Sequence, residues 1–281
     1  MIKVPATSAN LGPGFDTLGL ALGLYNKFSL KKSPITSIHV SGEGSENPKI
    51  RTDNIFIRVF NQIYGELTGR TDTFRFSFEN DIPISRGLGS SSAVIIGAIS
   101  AAYLKAELPF DKQLILNRAL EFESHPDNIT PATMGGFITA IVDKENVIYK
   151  KVELPNDVQA VVVIPTRSTS TNYSRATLPK KYTRADAVYN IGRSSLSVAA
   201  FMSGDWELLR YASRDRFHQK YRMKSFPILF EVQKVALQNS AIMSTLSGSG
   251  TTFFNLAYRD DASQLAESLK NAFPKFKTLI L

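Results

Sequence analysis

The residues whose types and spacing best suit chemistry are Pro83, Ile84, Ser85, Arg86, Gly87, Leu88, Gly89, Ser90, Ser91, Ser92 and Ala93, a glycine and serine turn that runs into an apolar stretch. Gly87 and Gly89 allow the backbone to approach a ligand closely. A helix opening near Ser91, with serines available as caps, would leave first-turn NH groups free at its positive end, which suits an anion. No GKS or GKT follows, so the lysine of the Walker motif is missing. Another group must then neutralise phosphate charge, and Arg86 or a metal held by a serine hydroxyl are the candidates. Taken alone, the stretch fits an ordinary glycine turn with a serine cap equally well.

Four further groups of residues have chemical potential. In His125-Pro126-Asp127-Asn128 a proline after a helix end favours an extended turn, so that imidazole, carboxylate and amide project from a fixed loop suited to a small polar substrate. Each of the three also fits a structural or capping role. Glu121 and Glu123, just upstream, are acidic candidates for magnesium, a hard cation that takes oxygen donors and shares them with phosphate. Asn10 and Asp16 lie in ATSANLGPGFDTLG, which also reads as an irregular hairpin whose polar side chains cap their own backbone. Arg175 and Arg222 could each fork onto a carboxylate or phosphate, or simply be surface.

These groups must be positioned by elements that the sequence periodicity outlines. Phe74, Phe76 and Phe78 alternate with Arg75, Ser77 and Glu79 in a half-buried strand, and AVIIGAISAAYL after it is apolar almost all round, as in a buried helix. Asp53 or Asn54 caps a helix whose buried face is Ile55, Val59 and Ile63, with Gly69 as its stop. Asp111 caps another, KQLILNRALEFES. GGFITAIV and VIYKKVEL form a hairpin, and the continuous apolar run VQAVVVIP opens a second domain. TRSTSTNYSRATLPKKYTR, which contains Thr171 and Arg175, is too polar for a core and reads as a substrate-covering loop. Helices over 184–203 and 228–239, a second glycine turn SGSGT and a closing helix and strand complete an α+β domain. The expected division is 1–150 and 151–281.

Composition narrows the classes. A chain of 281 residues with 43% hydrophobic and 21% charged residues can bury a real core. With no cysteine, thiol nucleophiles, disulfides and cysteine metal sites are excluded, and a reducing cytosol is the natural home. His39, His125 and His218 lack zinc-type spacing. No apolar run has signal or membrane-spanning length, so a soluble, unprocessed protein is expected. The net charge of +8 suits an anionic ligand without requiring nucleic acid.

The order PATSANLGPGFD, PISRGLGSSSA, LSGSGTT resembles the GHMP family of small-molecule kinases across essentially the whole chain. PATSANLGPGFDTLG, HPDN and the Thr171 and Arg175 pair are similar to its branch that phosphorylates L-homoserine. The resemblance implies a two-domain GHMP kinase fold of class α+β, with an N-terminal domain like the second domain of ribosomal protein S5 and a ferredoxin-like C-terminal domain. It implies ATP and Mg2+, with the turn from Pro83 to Ala93 binding the nucleotide and its Gly87 to Ser92 wrapping the phosphates. Ser91 and an acidic residue, Glu121 with Glu123 as fallback, would bind the metal. Asn10, Asp16, His125 and Asn128 would contact the amine and hydroxyl of the amino acid, and Thr171, Arg175 and Arg222 its carboxylate. Asn128, Asp127, Ser91 and Arg175 would form the catalytic set. Asp127 aligns with the aspartate that some GHMP kinases are thought to use as a base. A loose phosphoryl transfer needs positioning and charge neutralisation more than early deprotonation, so the favoured reading leaves the proton to the γ-phosphate. The product would lie on the route to threonine, in the cytoplasm, without nucleic acid or membrane partners, and with a homodimer as the expectation by analogy. The alternatives are a GHMP kinase for mevalonate or a sugar, and a non-catalytic relative that binds nucleic acid.

Overall fold

The computed structural model describes residues 1–281, with the side chains of Lys49 and Arg51 outside that description. In chain order the first half is β1 (Ile2–Ala9), β2 (Leu18–Lys32), β3 (Ser37–Gly42), α1 (Lys49–Thr52), α2 (Ile55–Thr68), β4 (Phe74–Asn80), α3 (Ser90–Ala106), α4 (Lys112–Ala119), α5 (Pro126–Met134), β5 (Phe137–Asp143) and β6 (Asn146–Val152). The second half is β7 (Val158–Ile164), α6 (Thr171–Ala176), α7 (Arg184–Ser203), α8 (Leu209–Ala212), α9 (Gln219–Lys224), α10 (Ile228–Gln238), β8 (Met243–Leu246), β9 (Phe253–Tyr258), α11 (Arg259–Ala272) and β10 (Lys277–Ile280).

The first sheet is organised on β2, a single strand of 15 residues. Its start pairs with β5 and its end with β4, while β1 runs antiparallel along Gly19 to Phe28. The order is β3-β4-β2-β5-β6, and β3 runs parallel to β4. The alternating phenylalanines of β4 all turn inward and meet Phe56 and Phe60 of α2, with Phe28 and Phe56 ring centroids 4.9 Å apart. Burial of each such ring stabilises the fold by about 1.5–3 kcal/mol. The α2 helix is capped at Asn54, whose side chain accepts from the Ile57 NH, and stops at Gly69 in the left-handed region, as its sequence predicts. α3 is buried on most sides, which its almost uninterrupted apolar composition requires.

The second sheet is antiparallel throughout, in the order β10-β7-β9-β8. Numbered within this half, that is 4-1-3-2, the ferredoxin-like arrangement. β7 explains why its sequence shows no alternation. Ala160, Val162 and Ile164 join the core shared with the first sheet, whereas Val161 and Val163 face the core beneath α10 and α11. Both faces of the strand are covered, so neither can be polar.

Three turns meet where the two sheets converge. The Gly248 NH donates to the Ala9 carbonyl at 3.0 Å and the Thr252 NH to the Arg86 carbonyl at 3.0 Å. The Ser247 hydroxyl donates to the Gly87 carbonyl at 2.7 Å and lies 2.9 Å from the Ser8 hydroxyl. Gly250 packs so tightly on the first glycine turn that a Cβ there would lie 2.2 Å from the Gly87 nitrogen. Gly250→Ala should therefore lower stability by about 1–3 kcal/mol. Gly192→Ala, at a helical position with nothing within 4 Å, should be neutral or slightly stabilising. Thermal denaturation of the two variants tests the contrast.

Candidate active site

α3 starts at Ser90, with Gly89 as its N-cap at φ +67° and no side chain capping the first turn. The serines expected as caps are thus not used for that purpose, because the chain enters the helix through a left-handed glycine. The first-turn NH groups of a helix of 17 residues stay available to an anion. They border a cleft of about 400 Å³ lined by Pro83, Ile84, Ser85, Gly87 to Ser92, Glu123, Asn128, Thr169 to Thr171, Gly248 and Ser249. Phe28, Phe56, Phe78 and Val94 make it apolar at one end, beside Asn54 and Asn80. A Cβ on Gly89 would sit 1.9 Å from Thr7 Oγ1. That space is taken by a hydrogen bond from the buried Thr7 hydroxyl to Asn128 Oδ1 at 2.7 Å.

Arg86 does not turn toward this cleft. Its guanidinium donates to the carbonyls of Ile84, Pro165 and Thr166, at 3.2, 3.0 and 2.6 Å. Tied to backbone oxygens on both sides, it fixes the turn instead of presenting charge to a ligand.

HPDN is not an extended loop. His125 is the N-cap of α5, Pro126 its first residue and Asp127 part of its first turn. Proline is compatible with that position because the NH it lacks would be unpaired there anyway. Asn128 thereby faces the glycine and serine turn, while His125 Nε2 lies 3.7 Å from Asp16 and its Nδ1 lies 3.1 Å from Glu123. The Glu123 contact raises the His125 pKa and burial opposes it. Asp127 is buried, and burial together with the Asp16 carboxylate pushes it up to about 7, with His125 opposing.

Asp16 and Arg175 form a two-pronged ion pair at 2.6 and 3.1 Å, across 159 residues of sequence. Asn10 supports the turn from within, accepting from the Asp16 NH at 3.0 Å. Arg222 differs from Arg175. It is 5% exposed, and its Nη1 meets only neutral acceptors, the Gly248 carbonyl at 2.9 Å and His218 Nδ1 at 3.2 Å. No carboxylate lies within salt-bridge distance among the described residues. Burial and the neighbouring Arg175 lower its pKa to about 10, so it remains a cation at neutral pH. Phe15 sits between the two guanidinium groups, 5.4 Å from Arg175 and 5.3 Å from Arg222. Thr171, at the start of α6 and one helical turn before Arg175, lies 3.1 Å from the Ser249 hydroxyl on the cleft wall.

The acidic residue expected for the metal needs correction. Glu121 is held by Arg118 at 2.9 Å and does not line the cleft, whereas Glu123 does. Among the described residues no group of three or more His, Asp or Glu is assembled for a metal. A cation would thus depend on Ser91, Glu123 and oxygens supplied by a ligand, a donor set that suits a hard ion. The sequence reading included Ser249 only as part of the SGSGT turn, and it singled out neither Thr7, nor Phe15, nor the role of His218. The i,i+4 spacing of His218 and Arg222 was the available signal for the last, while Thr7 and Phe15 lie within the PATSANLGPGFD motif with nothing local to mark them individually.

The family profile for the GHMP kinases N terminal domain matches residues 54–136, and that for the GHMP kinases C terminal matches residues 197–275. A homoserine kinase of Wolinella succinogenes is 61% identical over 280 residues, covering 100% of this chain and 96% of that protein. One from Campylobacter jejuni is 51% identical over 280 residues, with the same coverage of 100% and 96%. The crystal structure of homoserine kinase from Cytophaga hutchinsonii superposes with TM-score 0.86 at 25% identity, covering 100% of this chain and 93% of that one. L. major mevalonate kinase, at 16% identity and TM-score 0.73 over 100% and 94% of the two chains, shares the fold.

The pKa of Asp127 gives a test independent of activity. An unfolded aspartate titrates near 3.8 and the folded one near 7, so its contribution to stability is fully present below the lower value and lost as pH rises through the upper. Asp127→Asn cannot ionise and should gain stability relative to the wild type between pH 4 and 8, by at most about 4 kcal/mol at about 1.4 kcal/mol per unit. Denaturant titrations across that range should show a difference that grows with pH.

Proposed function

The chain belongs to the GHMP kinases and, within them, to the homoserine kinases, and from that premise we propose how its cleft moves a phosphoryl group from ATP to the side-chain hydroxyl of L-homoserine. The product is O-phospho-L-homoserine. The observation that carries the reading is the position of α5, whose first turn presents Asn128 to the glycine and serine turn and His125 to the Asp16 and Arg175 pair.

On this reading the amides of Gly87 to Ser92 and the positive end of α3 hold the triphosphate, and the apolar end of the cleft receives the base. Bound Mg2+ would neutralise phosphate charge, and Ser91 with Glu123 are the residues that would hold it. The amino acid separates the Asp16 and Arg175 ion pair. Its ammonium takes Asp16, with Asn10 and His125 nearby, and its carboxylate takes Arg175 and the unpaired Arg222. Both partners of a broken ion pair are satisfied again only by a zwitterion, which mevalonate and neutral sugars are not. Thr171 closes the far side of the cleft.

Asn128, fixed by Thr7, orients the hydroxyl. Asp127 near pH 7 is only partly ionised, and phosphate charge entering the cleft raises its pKa further. That makes it a poor base and a suitable hydrogen-bonding partner, so the proton passes to the γ-phosphoryl oxygens as the bond forms. We further infer a cytoplasmic enzyme on the route to threonine, acting as a homodimer without nucleic acid. No helix among the described residues is long and apolar enough to cross a membrane. The basic run RDRFHQKYRMK, residues 214–224, is the feature of the chain that would favour nucleic acid, and it is partly used internally, since Arg216 pairs with Asp186 and stacks on Tyr189.

Coupled ADP release should be supported by L-homoserine and not by mevalonate or galactose; turnover of either alternative in preference to homoserine overturns the assignment. Asp127→Asn should lose less than the roughly 10²–10⁴-fold typical of a general base, and a loss matching that of Ser91→Ala would restore the base mechanism. Glu123→Gln should raise the Mg2+ concentration giving half-maximal rate, while Glu121→Gln should remain close to wild type.

A further inference from the structure

We propose that His218 is a positioning residue for substrate recognition: a neutral imidazole that aims Arg222 at the substrate carboxylate while leaving its charge unspent. The inference rests on the reading of Arg222 as a carboxylate receptor and adds the group that makes it one.

His218 is fully buried, and its two ring nitrogens have partners of opposite kind. Nε2 lies 2.7 Å from the Gly12 carbonyl, which can only accept, so Nε2 carries the proton. Nδ1 lies 3.2 Å from Arg222 Nη1, which can only donate, so Nδ1 presents its lone pair. These two contacts define one neutral tautomer. A second proton on Nδ1 would remove the acceptor and place a cation against the guanidinium. Burial holds the His218 pKa below the usual imidazole range, with Asp215 opposing and Arg222 reinforcing the effect.

Asp215 keeps its charge away from Arg222. Its carboxylate accepts from Asn190 Nδ2 and from the NH groups of Phe217, His218 and Gln219, at 2.8 to 2.9 Å. It therefore orders the start of α9 and lies 3.8 Å from His218 Nε2. Between this anion and Arg222 stands the uncharged ring. A carboxylate in the place of His218 would also orient the guanidinium, but would cancel the charge that the substrate needs. The Gly12 contact ties the same ring to the loop that carries Phe15 and Asp16, and the Phe15 ring lies 5.4 Å from it. One side chain thus sets the distance between the ammonium receptor, on the first half of the chain, and a carboxylate receptor, on the second.

The test separates the two nitrogens. In His218→Asn the side-chain oxygen stands near the former Nδ1 and can still accept from Arg222, while the Gly12 contact is lost. In His218→Gln the amide nitrogen stands near the former Nε2 and keeps Gly12, while Arg222 loses the ring nitrogen as acceptor and keeps only the Gly248 carbonyl. For each variant and for Arg222→Gln, the constants for L-homoserine and for 3-aminopropan-1-ol, the same skeleton without the carboxylate, are measured with the latter as substrate or competitive inhibitor. KM for ATP and melting temperature report on the remaining structure. We expect His218→Gln to lose at least about tenfold in preference for homoserine, carried by its KM, with kcat and the ATP KM nearly unchanged; a tenfold loss corresponds to about 1.4 kcal/mol. His218→Asn should retain the preference. Equal effects of Asn and Gln, or a loss carried by kcat and ATP affinity, would make His218 merely structural and overturn the proposal. If Arg222→Gln itself leaves the preference intact, the carboxylate reading fails, which is a distinct result from failure of the His218 variants alone.

Discussion

The contact on which the site depends is the meeting of three backbone turns with almost no side chain between them. Gly87 and Gly250 lie so close that neither tolerates a Cβ, and Ser247 joins the Gly87 carbonyl to Ser8 on the first strand. Backbone packed on backbone has few soft degrees of freedom, since there are no rotamers to adjust. The start of α3, the end of β1 and the turn before β9 therefore hold fixed positions relative to one another. On the proposed reading a phosphate cradle made of main-chain amides depends on this rigidity, because no long cationic side chain is there to follow a ligand's movements.

Around that rigid centre the charges are kept in unequal states of satisfaction. Arg175 is paired and half-exposed, Arg222 is buried and faces neutral groups, and Asp127 is buried with its ionisation suppressed. Isolated buried charge is costly, so such groups persist where a ligand completes them or a network supports them. On the proposed reading the ammonium and carboxylate of an amino acid meet both requirements, and the Asp16 and Arg175 pair holds the place of the zwitterion in its absence.

Much of the frame could be read from the chain. The phenylalanine alternation of β4, the Asn54 and Asp111 caps and the unbroken apolar run of β7 each follow from local rules that the tertiary structure leaves in force. The site was less legible because its decisive contacts are long-range. Glu121 and Glu123 are alike in sequence, and long-range structure tells them apart: Arg118 reaches toward Glu66 and Glu121, while Glu123 meets His125 and lines the cleft. Pro126 signals a helix end as readily as a helix start, and the choice is made by α5 packing against β1 and β5. Arg86 had the charge for phosphate, but backbone carbonyls 79 and 80 residues away claim it. Thr7, one hydroxyl among several in the first strand, gained its partner from a residue 121 positions on.

The Arg86 clamp also limits how the cleft can open. It grips the carbonyls of Pro165 and Thr166, the Thr251 hydroxyl donates to the Arg167 carbonyl, and the Thr169 NH donates to the Ser85 carbonyl. The root of the polar segment is thereby stitched to both glycine turns, which stiffens the chain where it leaves β7. Further along, Thr171 and Arg175 tie the same segment to Ser249 and Asp16 through side chains, contacts that on the proposed reading an incoming amino acid would exchange while the berth for the nucleotide stands still.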